Sequence, residues 1–215
     1  MGLEQRTGLY GTYWGNTYNS SNTLTMEQMK VNASYIARYL QGQGWTINAI
    51  AGILGNMQSE SAINPGRWQS DNVAPADPTY AGYGLVQWTP YTKYTNWVTG
   101  DPSTMDNNIS RILYEVANNI QWGAGIYGTP PYSFSEFTHS TESAYDLAIN
   151  FLKYYERPAS LDYSRGTQAQ TWYDYLIGDI PSRCSCRKSF TFYSTNCNNN
   201  STIWTVPFTV ENIRG

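Results

Sequence analysis

The feature that most constrains this chain is a series of segments whose apolar residues recur at helical spacing. Over residues 47–62, Ile50, Ile53, Leu54 and Met57 share one face of a helix. The same spacing predicts five further helices, at about 26–41, 90–98, 102–120, 141–156 and 167–177. Short amphipathic helices must bury their apolar stripes against one another. The chain is therefore predicted to fold as a mainly helical domain.

Polar residues at the predicted helix starts agree with this pattern. Thr25 stands at capping-box spacing from Gln28, and Thr46 directly precedes the second helix. Thr89 and Pro90 have the order of an N-cap followed by a first helical proline. These signals place three helix starts in the first half of the chain.

One β element is predicted between the helices. In the segment YAGYGLVQWTP, residues 80–90, Tyr83, Leu85 and Gln87 occupy every second position. This is the spacing of side chains on one face of a strand. A Gly- and Pro-rich loop is predicted at 123–138. The fold class that follows is α+β, mainly helical, with a small β-hairpin beside the second helix.

The two ends of the chain differ in composition from this body. Residues 1–24 are rich in Gly, Tyr, Asn and Ser and are predicted to form an extended arm packed by Tyr10, Tyr13 and Trp14. After Gly178 the chain is rich in β-branched and aromatic residues, so residues 179–215 are predicted to be a β-rich appendage or a linker. The predicted catalytic domain covers residues 25–178.

Charge and cysteine usage exclude several classes of function. Charged residues make up 13% of the chain and the formal net charge is −3, which is not the basic footprint of a nucleic-acid-binding protein. No run of eighteen apolar residues occurs, so no membrane span is expected. The three cysteines, Cys184, Cys186 and Cys197, are interpreted as free or partly paired thiols rather than metal ligands. No metal and no cofactor is predicted.

A carboxylate at the end of the second helix is the main candidate for chemistry. Glu60 lies three residues after Met57 and seven after Ile53, so it shares their apolar face one turn from the helix end. A carboxyl group that loses hydration holds its proton more tightly. Such a group can act as a general acid in the cleavage of a glycosidic bond.

Three blocks of sequence carry a family resemblance. NAIAGILGNMQSESAINPGRWQ, then YGLVQWTPYTKYTNW, then AINFLKYYERP, resemble the phage tail lysozyme family in order and spacing, over about residues 25–178. The resemblance implies a peptidoglycan hydrolase of the phage tail tip that cleaves the β-1,4 bond between N-acetylmuramic acid and N-acetylglucosamine. It also implies other tail proteins as partners and a role in wall penetration during DNA ejection.

The resemblance also suggests roles for individual residues. Glu60 is expected to protonate the glycosidic oxygen. Most glycosidases use a pair of carboxylates; Asp71 and Asp77 lie in the loop between the second helix and the predicted hairpin, and Asp71 is the preferred candidate. Gln87 is expected to bind a sugar by hydrogen bonds. The remaining substrate-binding candidates are Tyr83, Trp68, Trp88 and Glu156. Core packing is the alternative for the aromatic residues and is evenly balanced with sugar stacking for Trp88. Glu156 with Arg157 is interpreted as a structural ion pair or a cleft wall rather than as a catalytic group.

Two alternatives remain open from the sequence. A lytic transglycosylase would use the same glutamate but would capture the cation with a hydroxyl group of the sugar. A non-catalytic wall-binding module would need the aromatic residues but not Glu60. A cysteine peptidase is disfavoured because the single histidine, His139, is far in sequence from all three cysteines.

Overall fold

The computed structural model describes residues 2–179, and the three cysteines and the predicted β-rich appendage lie outside this range. Two strands begin the chain, β1 (Leu3–Gly8) and β2 (Gly11–Asn16). Seven helices follow in the described range: α1 (Met26–Gly42), α2 (Ile47–Ser61), α3 (Thr92–Thr95), α4 (Met105–Ala117), α5 (Phe134–His139), α6 (Ala144–Phe151) and α7 (Ser164–Asp179). The predicted fold class, mainly helical α+β and lysozyme-like, is confirmed.

Helix α2 lies at the centre of the domain and packs against α6 and α7. It begins after Thr46, whose side chain accepts a hydrogen bond from Ala49 N at 3.1 Å, and it ends where Ala62 adopts a left-handed conformation. Two glycines let its neighbours come close. A Cβ atom on Gly55 would lie 2.4 Å from the carbonyl oxygen of Arg165 in α7, and one on Gly52 would lie 3.0 Å from Leu147 in α6.

The β-hairpin of the described chain is formed by residues 3–16 and not by residues 80–90. Strands β1 and β2 pair antiparallel from Leu3↔Asn16 to Gly8↔Gly11. The packing predicted for the N-terminal arm is observed, since Tyr13 is buried and Tyr10 and Trp14 contact the core. The loop conformation predicted for this arm is wrong.

The predicted hairpin at 80–90 is instead a tight turn held by isolated bridges. Tyr83 pairs with both Trp68 and Trp88, and residues 84–87 form the turn between them. Gly84 (φ 85°) and Gln87 (φ 50°) have left-handed backbone conformations that reverse the chain, so the two-residue alternation of a strand cannot hold. The turn still lies close to α2, because Ser61 Oγ donates a hydrogen bond to Leu85 O at 2.9 Å.

Helix boundaries differ from the prediction in the second half of the chain. Thr104 is the N-cap of α4, and Thr89 and Pro90 do not start α3, which begins at Thr92. Helix α5 falls within the predicted loop and starts with a capping box between Ser133 and Glu136. This six-residue helix buries Phe134 and Phe137 among other aromatic rings of the core.

Helix α6 ends in an unusual wide turn. Residues 152–156 form a π-turn, closed by a hydrogen bond from Arg157 N to Leu152 O at 2.8 Å. Arg157 then adopts a left-handed conformation (φ 53°, ψ 51°). A π-turn inserts one extra residue into a helix and is frequent at functional sites.

Within residues 2–179, no helix has both the length and the apolar character needed to cross a membrane.

Candidate active site

A polar cleft of about 550 Å³ opens where α2 ends. Its walls come from the end of α2, the loop after it, residues 86–89, Lys93 of α3, the loop after α4, and the π-turn with the residues that follow. Side chains from these segments line the cleft, among them Glu60, Arg67, Gln69, Gln87, Lys93, Gln121, Glu156 and Arg157. The cleft therefore brings together residues from all three sequence blocks that carry the family resemblance.

Glu60 occupies the last turn of α2 and faces the cleft. Its side chain is 20% exposed, and its Oε1 lies 2.6 Å from Nη1 of Arg165, in the first turn of α7. The same Nη1 donates to Oδ1 of Asn56, one turn earlier in α2, at 3.2 Å. Glu60 is thus an ion-paired carboxylate at the cleft wall. The side chain is largely shielded from water, but the group that lies against it is the guanidinium of Arg165 and not the apolar face that the sequence suggested.

Glu156 is the second carboxyl group that the fold brings into this cleft. It ends the π-turn, and its Oε1 is buried without a hydrogen-bond partner among the described residues. Burial raises the pKa of Glu156 well above the usual range of a glutamate, and the nearby charge of Glu60 raises it further, while Arg165 lowers it. No ion pair between Glu156 and Arg157 is present in the described part of the chain. Of the two interpretations, ion pair or cleft wall, the structure agrees with the cleft wall, because both residues line it.

A buried polar network supports the cleft from behind. Glu115 of α4 is 1% exposed and forms an ion pair with Nε of Arg111 at 2.9 Å. The same carboxylate accepts hydrogen bonds from Trp88 Nε1 at 3.1 Å and from Tyr155 OH at 2.5 Å. Burial raises the pKa of Glu115, and the hydrogen bond from Tyr155 and the charge of Arg111 oppose that rise. The network fixes Trp88 on one side of the cleft and Tyr155, next to Glu156, on the other.

Gln87 lines the cleft, but its side-chain amide is used to hold the turn. Nε2 donates hydrogen bonds to Gly84 O at 2.9 Å and to Arg67 O at 3.1 Å. The side chain of Asn108, from α4, supports the same turn by accepting a hydrogen bond from Leu85 N at 3.0 Å. The geometry favours a structural role for the amide nitrogen of Gln87, which leaves only its oxygen for a ligand.

The aromatic candidates of the sequence are more buried than sugar stacking requires. Tyr83 and Trp68 have no exposed surface, and Trp88 is 4% exposed. Trp68 packs on Tyr83 with ring centroids 4.3 Å apart, and Trp88 packs on Tyr94 at 4.5 Å. Both tryptophans contribute to the cleft wall, but neither presents an open ring face. Tyr83 does not line the cleft and belongs to the core.

Asp71 lies outside the cleft lining. Its Oδ1 is 2.9 Å from Nη1 of Arg67, and its side chain is 58% exposed. It influences the cleft only through Arg67, which does line it. Among the described residues, the structure therefore brings Glu156, and not Asp71, to the same cleft as Glu60.

The sequence did not reveal the lining residues Arg67, Gln69, Lys93 and Gln121, nor three residues of the supporting contacts, Arg165, Asn56 and Glu115. Arg165 and Asn56 gave no local signal, because their contact joins positions 109 residues apart. Glu115 could have been found from its spacing of four residues after Arg111 on a predicted helix.

A smaller groove of about 230 Å³ shares Gln69 and Ser70 with the cleft and contains Tyr80, which is 83% exposed. Tyr80 is thus the aromatic ring beside the cleft with a free face.

A mainly helical domain with a glutamate at the end of its central helix, opening into a polar cleft, has the organisation of a lysozyme-like protein. The chain belongs to the phage tail lysozyme family, whose pattern it matches over residues 31–176. It is also 49% identical over 165 residues to "Morphogenesis protein 1" of Bacillus phage B103. That match covers 75% of this chain and 43% of the relative, so the chain spans less than half the length of that protein.

Proposed function

We propose that this protein is a phage tail-associated peptidoglycan hydrolase that cleaves the β-1,4 bond between N-acetylmuramic acid and N-acetylglucosamine, with Glu60 as an essential catalytic carboxyl group. The observation that carries the proposal is the position of Glu60, at the end of the central helix and open to a cleft of about 550 Å³. Family membership and the phage relative support a role in local wall penetration, with other tail proteins as partners.

The chemistry follows from the groups that line the cleft. Cleavage of a glycosidic bond needs a proton for the leaving oxygen and a negative charge near the oxocarbenium-like centre that develops. Two glutamates, Glu60 and Glu156, supply carboxyl groups to the cleft, and Arg67, Lys93 and Arg157 supply hydrogen-bond donors for hydroxyl, acetamido or lactyl groups. The free ring of Tyr80 is suited to pack on a sugar in the adjoining groove.

The test is digestion of purified peptidoglycan, with the fragments identified by mass. Wild-type protein should release fragments with reducing muramic acid ends. Glu60→Gln keeps the side-chain shape but cannot carry a proton or a charge, so we expect it to lose roughly 10²- to 10⁴-fold in rate. Glu27→Gln is the matched control, because Glu27 is exposed on α1 and does not line the cleft.

Each other outcome has a distinct meaning. Fragments with 1,6-anhydro ends would show that the protein is a lytic transglycosylase and not a hydrolase. Intact walls after incubation with folded wild-type protein would leave a wall-binding module as the better description. Undiminished cleavage by Glu60→Gln would remove Glu60 from the catalytic role.

A further inference from the structure

The two glutamates of the cleft have opposite environments. Glu60 lies against a cation, since Arg165 Nη1 is 2.6 Å from its Oε1. The carboxyl group of Glu156 is buried, and its Oε1 has no hydrogen-bond partner among the described residues. An ionised carboxylate that is buried without partners is strongly destabilised, whereas a protonated one costs much less. The proton of this site is therefore expected on Glu156 in the resting protein.

The fold holds these two groups together with some strain. The π-turn at residues 152–156 and the left-handed conformation of Arg157 terminate α6 so that Glu156 reaches the cleft. Arg165 stands between α7 and the end of α2, and its Nε is also buried without a partner among the described residues. Buried polar atoms without partners are rare in native proteins, and their presence beside a catalytic cleft points to a function.

We propose that Glu156 is the second carboxyl group of the active site, and that the two glutamates of the cleft act together with one proton between them, which is delivered to the glycosidic oxygen. The inference rests on the proposed glycan cleavage and deepens it. When the proton moves to the glycosidic oxygen, the bond between C1 and that oxygen breaks and its electron pair stays on the oxygen. Water then adds to C1 and returns one proton to the carboxylate pair, which restores the starting state.

Other charged groups around the two glutamates influence which of them holds the proton. Arg165 faces it from α7, and Glu115 contributes a further negative charge from α4. Arg67, Lys93 and Arg157 line the same cleft. The negative charge of Glu60 raises the pKa of Glu156, so the proton of the pair is retained to a higher pH than an ordinary glutamate would hold it.

The direction of the expected pH dependence of activity follows from the retention of this proton. Activity needs the proton, so it is present while the pair is singly protonated and is lost as the pH rises through the raised pKa of Glu156. In Glu156→Gln the carboxyl group with the raised pKa is absent. The alkaline limb of the activity profile should therefore move to lower pH.

The experiment is a pH profile of kcat/KM for wild type, Glu156→Gln, Glu156→Asp and the control Glu27→Gln. We expect kcat/KM of Glu156→Gln to fall roughly tenfold to a hundredfold at neutral pH, which is less than the loss on removal of a whole general acid. In acid, its kcat/KM should recover toward the wild-type value. Glu156→Asp keeps an ionisable group and should restore part of the alkaline limb. A loss that is equal at every pH would show a structural role, and an unchanged profile would show no role; either result overturns the proposal.

A second measurement does not depend on activity. In protein labelled with ¹³C at the glutamate carboxyl carbons, the Glu156 signal, assigned by its loss in Glu156→Gln, should titrate at lower pH in Glu60→Gln than in wild type. An unchanged titration would contradict the shared proton. Absence of wall cleavage by wild type would instead overturn the proposed function while the titration still reports on the pair, so the two failures are distinguishable.

Discussion

At the scale of single residues, Gln87 shows how a candidate for ligand binding can be a structural group. Both hydrogens of its amide are used, one on Gly84 O and one on Arg67 O. The bond to Gly84 O closes the turn at residues 84–87, and the bond to Arg67 O joins this turn to the loop that follows α2. Both segments line the cleft, so the side chain fixes the width of the cleft at this point.

We therefore expect Gln87→Ala to lower thermal stability and activity together. Loss of the amide removes two hydrogen bonds, each worth about 0.5–1.5 kcal/mol net, while both carbonyl groups keep a backbone donor. Gln87→Gly is the matched control, because it removes the same bonds but tolerates the left-handed backbone at φ 50°. The melting temperature and kcat/KM should be measured on one preparation of each variant. A variant that keeps its melting temperature and loses activity would restore the sugar-binding role.

Residue types and local spacing predicted Glu60 but not its partner. The position of Glu60 at the end of α2 follows from the Thr46 cap and the apolar spacing before it, which are local signals. The ion pair with Arg165 depends on the packing of α7 on α2 and leaves no trace in either segment. The environment of Glu60 was therefore predicted as apolar when it is ionic. The proton-holding environment belongs to Glu156.

At the scale of elements, the contact between α2 and α7 positions the groups around Glu60 in the candidate active site. It brings Arg165 to Glu60 and Asn56, and Trp172 Nε1 donates to Gln58 Oε1 at 2.8 Å farther along the same pair of helices. Gly55 makes this approach possible, because a Cβ atom there would lie 2.4 Å from Arg165 O and 2.9 Å from Ala169 Cβ.

We expect Gly55→Ala to destabilise the protein despite the better helix propensity of alanine. Overpacking against a backbone oxygen that cannot rotate away costs typically about 1–3 kcal/mol, more than the gain of about 1 kcal/mol in propensity. Gly178→Ala is the control, since a Cβ there meets nothing within 4 Å in α7, and its melting temperature should not fall. The displaced α7 should also lower kcat/KM in Gly55→Ala. Equal melting temperatures for the two variants would contradict this account of the contact.

The elements with strong periodicity and caps were predicted, and those with short or unusual geometry were not. Helix α1 has the predicted capping box at Thr25 and lies within one residue of its predicted end. Helix α5 was missed because its capping box, from Ser133 to Glu136, is followed by only one and a half turns. The turn at residues 84–87 was interpreted as part of a strand. Over so few positions, a strand and a turn with left-handed residues give the same pattern of buried side chains.

At the scale of the whole molecule, the N-terminal hairpin is part of the domain and not an appended arm. Asn32 in α1 donates to Trp14 O and accepts from Trp14 N, both at 2.7 Å, and it also donates to Ile63 O just after α2. On the other side, Arg6 forms an ion pair with Asp101 at 2.5 Å. Since the family match begins at residue 31, the family pattern leaves out a segment that completes the core of this protein.

The segment after α7 is expected to be dispensable for catalysis. All residues that line the cleft, and the three sequence blocks, precede residue 179. A chain that ends at Asp179 should therefore keep the melting temperature of the domain and the wild-type rate on peptidoglycan. A chain that ends at residue 163 is the control, because it lacks α7 and Arg165 and should not fold. Loss of turnover in a folded chain that ends at Asp179 would contradict the prediction.

The distance along the chain between Asn56 and Arg165 also bears on the order of folding events. Their contact closes a loop of 109 residues, and the logarithmic part of the closure entropy for such a loop is about 4 kcal/mol. Helix α2 can form early from its local signals, but Glu60 gains its cation only after the last described helix has been synthesised and has docked. A nascent or partly unfolded chain therefore carries its glutamate without the ionic environment of the finished cleft. We therefore expect the wall-cleaving activity proposed above to appear only in chains whose whole domain is complete.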